Sequence, residues 1–422
     1  MEKINNSFDV IVIGAGAAGL MASGQAAISG ANTLLIEKTD SPGKKLSITG
    51  KNRCNLTNTA DVRTFIDHFG HQGRFLHQAF ARFFRDELLD FFQSIGVDSE
   101  AERGGRIFPS NGNAAYVTKQ LYQWAQSNGV ICSLKSPVEN LIAENRKISA
   151  VQVSDGSVIP TKSAILCTGG STFTGTGSTG DGYRMAKSIG HTILSLRPAL
   201  VPIITKDSTS KRLQGLSLRN IKLSIFFNGK KKIEAFGEML FTHFGISGPI
   251  VLTHSGKMVD AIREGKIVSV SIDLKPAIND AKLDARLQRE LNLGGKQFFQ
   301  TMLKRLLPSK MVGVCADLTS IPRDRPCHQI TAQERQHLLK WLKDFRLDVV
   351  GPLSLETGMV TMGGVSLKEV NPNTMMSKVI DGLFFAGEVL DLAGDTGGYN
   401  LQAAWSTGWL AGQNAGKYST KV

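Results

Sequence analysis

Between residues 8 and 37 the chain runs through a short apolar stretch, a glycine turn, a series of small residues and a second apolar stretch. Asp9 precedes Val10-Ile11-Val12-Ile13, the stretch Ala17 to Ser29 is closed by Gly30, and Thr33-Leu34-Leu35-Ile36 ends on Glu37. Apolar runs of this length bounded by turn residues predict buried strands, and a glycine just past a periodic stretch predicts a helix C-cap. Strand, helix and strand in this order form a βαβ unit, which implies a parallel sheet with helices on its faces.

Further along, apolar residues recur at 76, 80, 83, 84, 88, 91, 92 and 95, which predicts one helix with a buried stripe from Phe75 to Ile95. A second helix is predicted over Ala114 to Ser127, strands over Val138 to Val153 around a turn near Asn145, and a short buried strand at Ala164-Ile165-Leu166-Cys167. From about Ile193 to Asp273 short alternating runs, Ile221 to Phe227 and Ile267 to Leu274 among them, predict antiparallel β structure. Helical patterns follow at Asn279 to Leu291, Gln297 to Leu307 and Ala332 to Phe345. After Gly351 the chain returns to glycine-punctuated strands, including Val379 to Ala386, and a last helix is predicted from Leu401 to Ala415. No fixed-period repeat or low-complexity linker interrupts this pattern. The predicted fold class is α/β. A Rossmann-type domain occupies 1–192 and 351–422, interrupted by a mixed insert at 193–350 that is β-rich over about 193–274 and helical over about 275–345.

The glycine turn Gly14-Ala15-Gly16-Ala17-Ala18-Gly19 has the GxGxxG spacing directly after a strand and at the opening of a helix. The first glycine permits the tight turn, the second lets a pyrophosphate approach the backbone, and the third lets helix pack on strand. Unpaired amides at the helix start, those of Ala17 and Ala18 among them, suit phosphate oxygens. Glu37 stands where a ribose 2′-hydroxyl would sit, followed by Lys38, and favours FAD or NAD over a 2′-phosphorylated cofactor. Three further segments suit an extended charged ligand. One is the cationic, glycine-containing stretch 43–58, with Lys44, Lys45, Leu46, Gly50, Arg53, Cys54 and Asn55. Another is Thr168-Gly169-Gly170 with Thr179-Gly180-Asp181-Gly182, and the third is Phe384 to Glu388 with Asp395 to Gln402.

Together these segments resemble the bacterial BaiN/YhiN-like family of NAD(P)/FAD-dependent oxidoreductases. The marks are GKKLSITGKNRCNLTN at 43–58, GRIFP at 105–109, FTHFGISGP at 241–249 and TGGYNLQAAWSTG near the end. More distantly, the TGG and TGDGY elements are similar to those of fumarate reductase and succinate dehydrogenase flavoproteins. The resemblance implies a glutathione-reductase-like FAD domain and a noncovalent flavin, since none of the histidines in the first hundred residues is placed like that superfamily's covalent attachment site. It further implies that Val138 meets the adenine through its backbone and that Glu388, after Gly387, accepts hydrogen bonds from the ribityl chain. The helix opening at Gly397-Gly398-Tyr399-Asn400-Leu401 would then aim its amides at the flavin pyrimidine edge.

Three side chains carry two readings each. Cys54 is either a redox thiol near the flavin or a small packed residue. His243 is either a general acid or substrate ligand, or a structural turn histidine. Arg106 is either a bidentate carboxylate anchor or a surface arginine of a hairpin. The insert leaves after the second glycine segment and rejoins before the third, so the substrate cleft is expected where the two domains meet, with His243 and Arg106 in its lining.

Composition narrows the picture. With 422 residues, 41% of them hydrophobic, the chain can bury more than one core. It lacks a signal-peptide pattern and an apolar run of membrane-spanning length, and its five cysteines show neither paired nor metal-ligand spacing. These features predict a cytoplasmic protein without a membrane span, disulfide framework or metal site. Lys and Arg number 49 against 36 Asp and Glu, and the segment 193–350 alone holds 26 against 14. Such asymmetry suits an anionic small molecule or nucleic acid, or serves solubility alone. The expected activity is hydride transfer through flavin N5 to a small or medium organic substrate. NAD(P)H is the candidate transient donor, although only one strand–GxGxxG–helix unit is present. The alternatives are an amine-type oxidase using dioxygen, an RNA-binding flavoprotein that modifies RNA, and a redox-silent scaffold. Oligomeric state has no signature in the sequence.

Overall fold

The apolar run at the N-terminus forms strand β1 (Phe8–Ile13), the small-residue stretch forms helix α1 (Ala17–Ile28), and β2 (Thr33–Ile36) follows. In the computed structural model, which describes residues 7–421, β1 lies in the middle of a seven-stranded sheet. Parallel neighbours are β2 on one side and strand Val158–Leu166 on the other, and Ile131–Ser133 extends the sheet beyond β2. Val10, Ile11 and Val12 are wholly buried, as expected for a strand covered on both faces. Strand 158–166 divides one edge between two partners. Val158 to Pro160 pair antiparallel with Ala150 to Gln152, and Ala164 to Leu166 pair parallel with Leu383 to Phe385. Ile13 is in register with both Ile36 and Leu166, so the carboxyl ends of the parallel strands are level, and Gly14, Glu37, Cys167 and Ala386 emerge along one rim.

The C-terminal helix (Tyr399–Lys421) packs on α1 through small residues one helical turn apart. A Cβ on Gly408 would lie 2.5 Å from the Ala18 carbonyl oxygen, and one on Gly412 would lie 2.2 Å from that of Ala22. The helix predicted from Phe75 to Ile95 is two helices, His77–Arg82 and Arg85–Ser94. Phe83 between them is extended (φ −153°, ψ 96°), its ring stacked 5.5 Å from Trp409 and its carbonyl accepting from Ser406 Oγ at 2.6 Å. Tertiary partners on the C-terminal helix thus override a pattern that is helical when read locally.

The chain divides into two compact units, residues up to Pro198 with Leu355 onward, and Ala199–Ser354. The division falls after Pro198 rather than at 193 because the strand Ile193–Ala199 pairs with Val360–Val365. The second unit is a closed six-stranded barrel, in order 203–205, 245–247, 230–241, 217–227, 268–273 and 345–352, with every pairing antiparallel. Closure leaves no unpaired edge. Leu223, Ile225, Phe241, Val270 and Ile272 fill its core. The β-rich segment from Ile193 to Asp273 also holds a helix that was not predicted, Pro249–Arg263. Gly248 at φ +93° turns the chain and Pro249 takes the first helical position, where its missing N–H costs nothing. The helix predicted at Gln297 to Leu307 shrinks to Phe299–Leu303, and Ser309–Thr319 adds a helix that was not predicted. No helix among the described residues is long and apolar enough to cross a membrane.

Candidate functional site

A cavity partly open to solvent lies at the carboxyl rim of the parallel strands. That is where open α/β sheets bind ligands. Gly14, Gly16, Ala17 and Ala18 form one wall. Gly14 has φ +98°, and a Cβ there would approach the Cys167 carbonyl oxygen to 2.7 Å. Gly19 lies behind the wall, where a Cβ would meet the Gly14 carbonyl oxygen at 1.8 Å. Gly16 is different, since a Cβ on it would find nothing within 4 Å. Helix α1 starts here with no side-chain cap and no acidic residue in its first turn. Its first amides and the positive end of its dipole therefore face the cavity without a side-chain cap of their own, and the nearest carboxylate is that of Glu37 on the preceding Ala15 amide.

Glu37 lines the cavity with its carboxylate fixed by two backbone amides, Ala15 N to Oε2 and Thr39 N to Oε1, both at 2.8 Å. Lys38 also lines it and pairs with Asp181, and Lys44 pairs with Asp40 at 2.8 Å. Lys45 reaches across to Glu388 (2.8 Å) and Thr172 Oγ1 (2.9 Å). Glu388 Oε1 in turn accepts from Thr361 N at 2.8 Å. Gly170 stands behind this knot, and a Cβ on it would press on Thr361 Oγ1 and Glu388 Oε1 at 2.3 and 2.6 Å. Leu46, Val138, Thr168, Gly169, Gly387, Asn400 and Leu401 complete the predicted residues found in the wall.

The fit to a dinucleotide is supported by the chemistry of the lining. Thr168 lines the cavity, while its Oγ1, shielded from solvent and without a hydrogen bond, lies against Gly182, where a Cβ would approach it to 1.9 Å. The amides at α1 suit the pyrophosphate, Glu37 a ribose diol, and Glu388 with Lys45 a polyol chain. FAD bound there would supply two-electron hydride chemistry.

Other predicted residues stand back from the cavity and shape it. Helix α2 (Lys44–Asn52) is kinked, with Gly50, Lys51, Asn52 and then Cys54 all at positive φ between 59° and 66°. Left-handed non-glycine residues in succession persist only where their surroundings impose the conformation, and such strain gathers at ligand clamps. The Asn55 amide is assigned the orientation that satisfies both its ends, in which it holds this loop to the C-terminal motif, Oδ1 accepting from Gly398 N at 3.0 Å and Nδ2 donating to Thr57 O and Ile107 O. Arg53 pairs with Glu102 and lies 4.2 Å over the Phe108 ring. Cys54 is fully buried, and burial pushes its thiol up to about 12, so it carries no thiolate at neutral pH. Gly397 (φ +133°) and Gly398 (φ +98°) precede the C-terminal helix, and Tyr399 packs into an aromatic group 4.8 Å from Phe65.

Arg106 is exposed and does not line the cavity; its Nε donates to the Arg103 carbonyl at 3.2 Å. His243, in the barrel unit, is exposed in the turn between strands 230–241 and 245–247, its ring edge-on to Phe244 at 4.8 Å. Sequence reasoning missed Phe69, Met359 and Leu392 in the wall, and His68 beside it. The His68 ring stacks 3.9 Å from Tyr399, with Nδ1 bonded to Asp395 at 2.8 Å. Asp395 stood in a quoted motif, but nothing in a single sequence links it to a histidine so distant in the chain.

Glu37→Ala is expected to raise the FAD dissociation constant at least tenfold, since hydrogen bonds to a charged acceptor contribute about 1.5–3 kcal/mol. Fluorescence titration of apoprotein with FAD measures this, and unchanged affinity removes Glu37 from the site.

The parallel sheet, the glycine turn and the acid that ends the second strand define a Rossmann-type dinucleotide fold, and the protein is an FAD-dependent oxidoreductase of that fold. The sequence profile of the HI0933-like protein Rossmann domain matches residues 8–414, and the chain belongs to this family. It is 32% identical over 410 residues to a 3-dehydro-bile acid delta(4,6)-reductase from Clostridium scindens, covering 96% of this chain and 98% of the relative. It is 30% identical over 408 residues to a ribosomal RNA dihydrouridine synthase from Escherichia coli, with the same coverage. Among solved structures, the open conformation of a flavocytochrome c3 fumarate reductase superposes with a TM-score of 0.51 at 21% identity, covering 98% of this chain and 79% of that one. That likeness concerns the fold.

Proposed function

We propose that the protein is an FAD-dependent reductase that saturates a carbon–carbon double bond conjugated to a carbonyl, and that the substrate is a uracil ring in RNA. The reaction class is supported by both curated relatives, because a delta(4,6)-reductase of a 3-dehydro-bile acid and a dihydrouridine synthase each deliver two hydrogens across an activated alkene. The choice of RNA rests on one observation. The unit Ala199–Ser354 holds 25 Lys and Arg against 14 Asp and Glu, which is nearly all of the chain's net +13. A compact steroid-like enone needs no such field, whereas a polyphosphate chain does.

The flavin is held without a covalent bond, and NAD(P)H is the reductant. A hydride enters the β-carbon of the enone and a proton the α-carbon, so one acid on the protein is required. His243 is the proposed donor, an exposed imidazole with a ring nitrogen able to carry a transferable proton. Arg106 is the proposed anchor for an anionic group of the substrate, its guanidinium exposed and in no ion pair among the described residues.

The experiment is anaerobic. Flavoprotein reduced by NADPH or NADH is mixed with a ribosomal RNA transcript or with a Δ4-3-ketosteroid, and products are read by mass spectrometry. Gain of two hydrogens on uridine supports the reading, and gain only on the steroid overturns the choice of RNA. His243→Ala and Arg106→Ala should retain flavin and melting temperature while slowing turnover at least tenfold. Wild-type rates in both variants would remove them from the site.

A further inference from the structure

The helix Asp280–Gly294 in the barrel unit buries Leu283, Leu287 and Leu291 and turns a different row outward. That row is Lys282, Arg286 and Arg289, at i, i+4 and i+7, with Lys282 and Arg289 exposed and Arg286 half-buried between them, and it continues to Leu293, which is 77% exposed. None of the three cations makes an ion pair or side-chain hydrogen bond among the described residues. The carboxylates on the same helix are engaged elsewhere. Asp284 binds Arg335 and Gln336, and Glu290 binds Arg305. Asp280, in the first turn, pairs with none of the three cations.

Several features of this row oppose folding. Like charges at i and i+4 destabilise a helix. Lys282 sits in the first turn, beside the positive end of the helix dipole. Lys275, half-buried just before the helix, donates through Nζ to the Leu306 carbonyl at 2.7 Å and feels the Arg286 guanidinium. Burial first, and then Arg286, pushes the Lys275 ammonium below its usual value. Glu290, one turn on from Arg286, is taken up by Arg305, and the three cations, unpaired among the described residues, are an arrangement that an external polyanion would relieve.

We propose that the outward face of helix Asp280–Gly294, with Lys282, Arg286 and Arg289 as its contacts, is the docking surface for the phosphate backbone of the RNA substrate. The inference rests on the reading of this protein as an RNA-acting reductase and adds where the RNA is held. Contacts of this kind position a nucleic acid without reading its bases, and each removes about one counterion on binding.

The test uses the full flavin-loaded protein and a fluorescein-labelled oligouridylate, with dissociation constants measured by anisotropy from low to moderate sodium chloride. The Lys282→Ala/Arg286→Ala/Arg289→Ala variant should keep wild-type flavin content and melting temperature. It should weaken binding at low salt at least tenfold and reduce the slope of log Kd against log salt by about 2, at roughly 0.7 per lost contact on a single strand. As a control for general charge, Lys230→Ala/Lys231→Ala/Lys232→Ala in the barrel hairpin removes the same charge from a different element. If both triple variants weaken binding equally, or the helix variant binds like wild type, the assignment of this face is overturned while RNA binding stands. If the wild-type protein does not bind the oligonucleotide at any salt, the RNA reading itself falls. Loss of binding to phosphatidylserine vesicles, with RNA binding unchanged, would assign the face to a membrane surface and overturn the proposal.

Discussion

Gly19→Ala is expected to yield protein without bound flavin and with its first unit largely unfolded. The added Cβ would sit 1.8 Å from the Gly14 carbonyl oxygen, a contact between two backbones in which no side chain can swing aside. Gly14 cannot retreat, because its amide is bonded to the Ile36 carbonyl at 2.8 Å and its own Cα faces the Cys167 carbonyl. Relief requires lifting α1 from β1, and α1 is also the surface on which the C-terminal helix packs. Overpacking a close-packed site costs about 1–3 kcal/mol where side chains can adjust, and a rigid backbone contact costs more. Gly16→Ala separates fold from ligand. Its Cβ enters empty space at an ordinary φ of −79°, so apoprotein melting should stay near wild type while FAD affinity falls. The absorbance ratio of flavin to protein and the apoprotein melting curve measure both. Yellow, normally melting Gly19→Ala protein would refute the account of the turn.

The second large effect is expected at Glu388. Its carboxylate joins Lys45 from the kinked helix, Thr172 from the second glycine segment and the Thr361 amide from the strand that follows the insert. Glu388→Ala leaves the partly buried Lys45 ammonium with Thr172 alone and the Thr361 amide without a partner. The Lys45 and Glu388 side chains are 24% and 21% exposed, so solvent tempers the loss. About 1–3 kcal/mol of unfolding free energy is expected to go, together with at least a tenfold loss of FAD affinity. Glu388→Gln, which keeps an acceptor for Thr361 N, should recover most of the stability but less of the affinity. Urea midpoints of the apoproteins and FAD titrations provide the comparison. An alanine variant as stable as wild type would mean that the three segments are joined by other contacts.

The sequence made the first βαβ unit plain because local pattern and tertiary role coincide there. Val10 to Ile13 is apolar on both sides because both sides are covered, and Gly14 and Gly19 are glycines because backbone lies where Cβ atoms would be. The glycine-rich segments could likewise be found, since close approach leaves a mark in residue type. Pairings over long separations left none. Lys45 with Glu388, His68 with Asp395 and Asn55 with Gly398 depend on a fold that a single sequence does not display. The same reason explains Phe83, whose neighbours Ser406 and Trp409 lie on the last helix and break a pattern that looked continuous. The helix Pro249–Arg263 was lost differently. Ile250, Val251 and Leu252 form a compact apolar run after a glycine, which reads as readily as a strand.

The edge of strand Val158–Leu166 bears on how the molecule is made. Its second half pairs with Leu383 to Phe385, residues that leave the ribosome only after the whole barrel unit has been synthesised. Until then the growing chain has β1, α1 and β2 but lacks Glu388, Asn400 and the helix that covers α1. The barrel draws all six of its strands from one continuous segment and can close while the earlier unit still waits for its last strand. A flavin held in this cavity would therefore find all of its lining only at the end of translation, and its capture would report that both ends of the discontinuous unit have met.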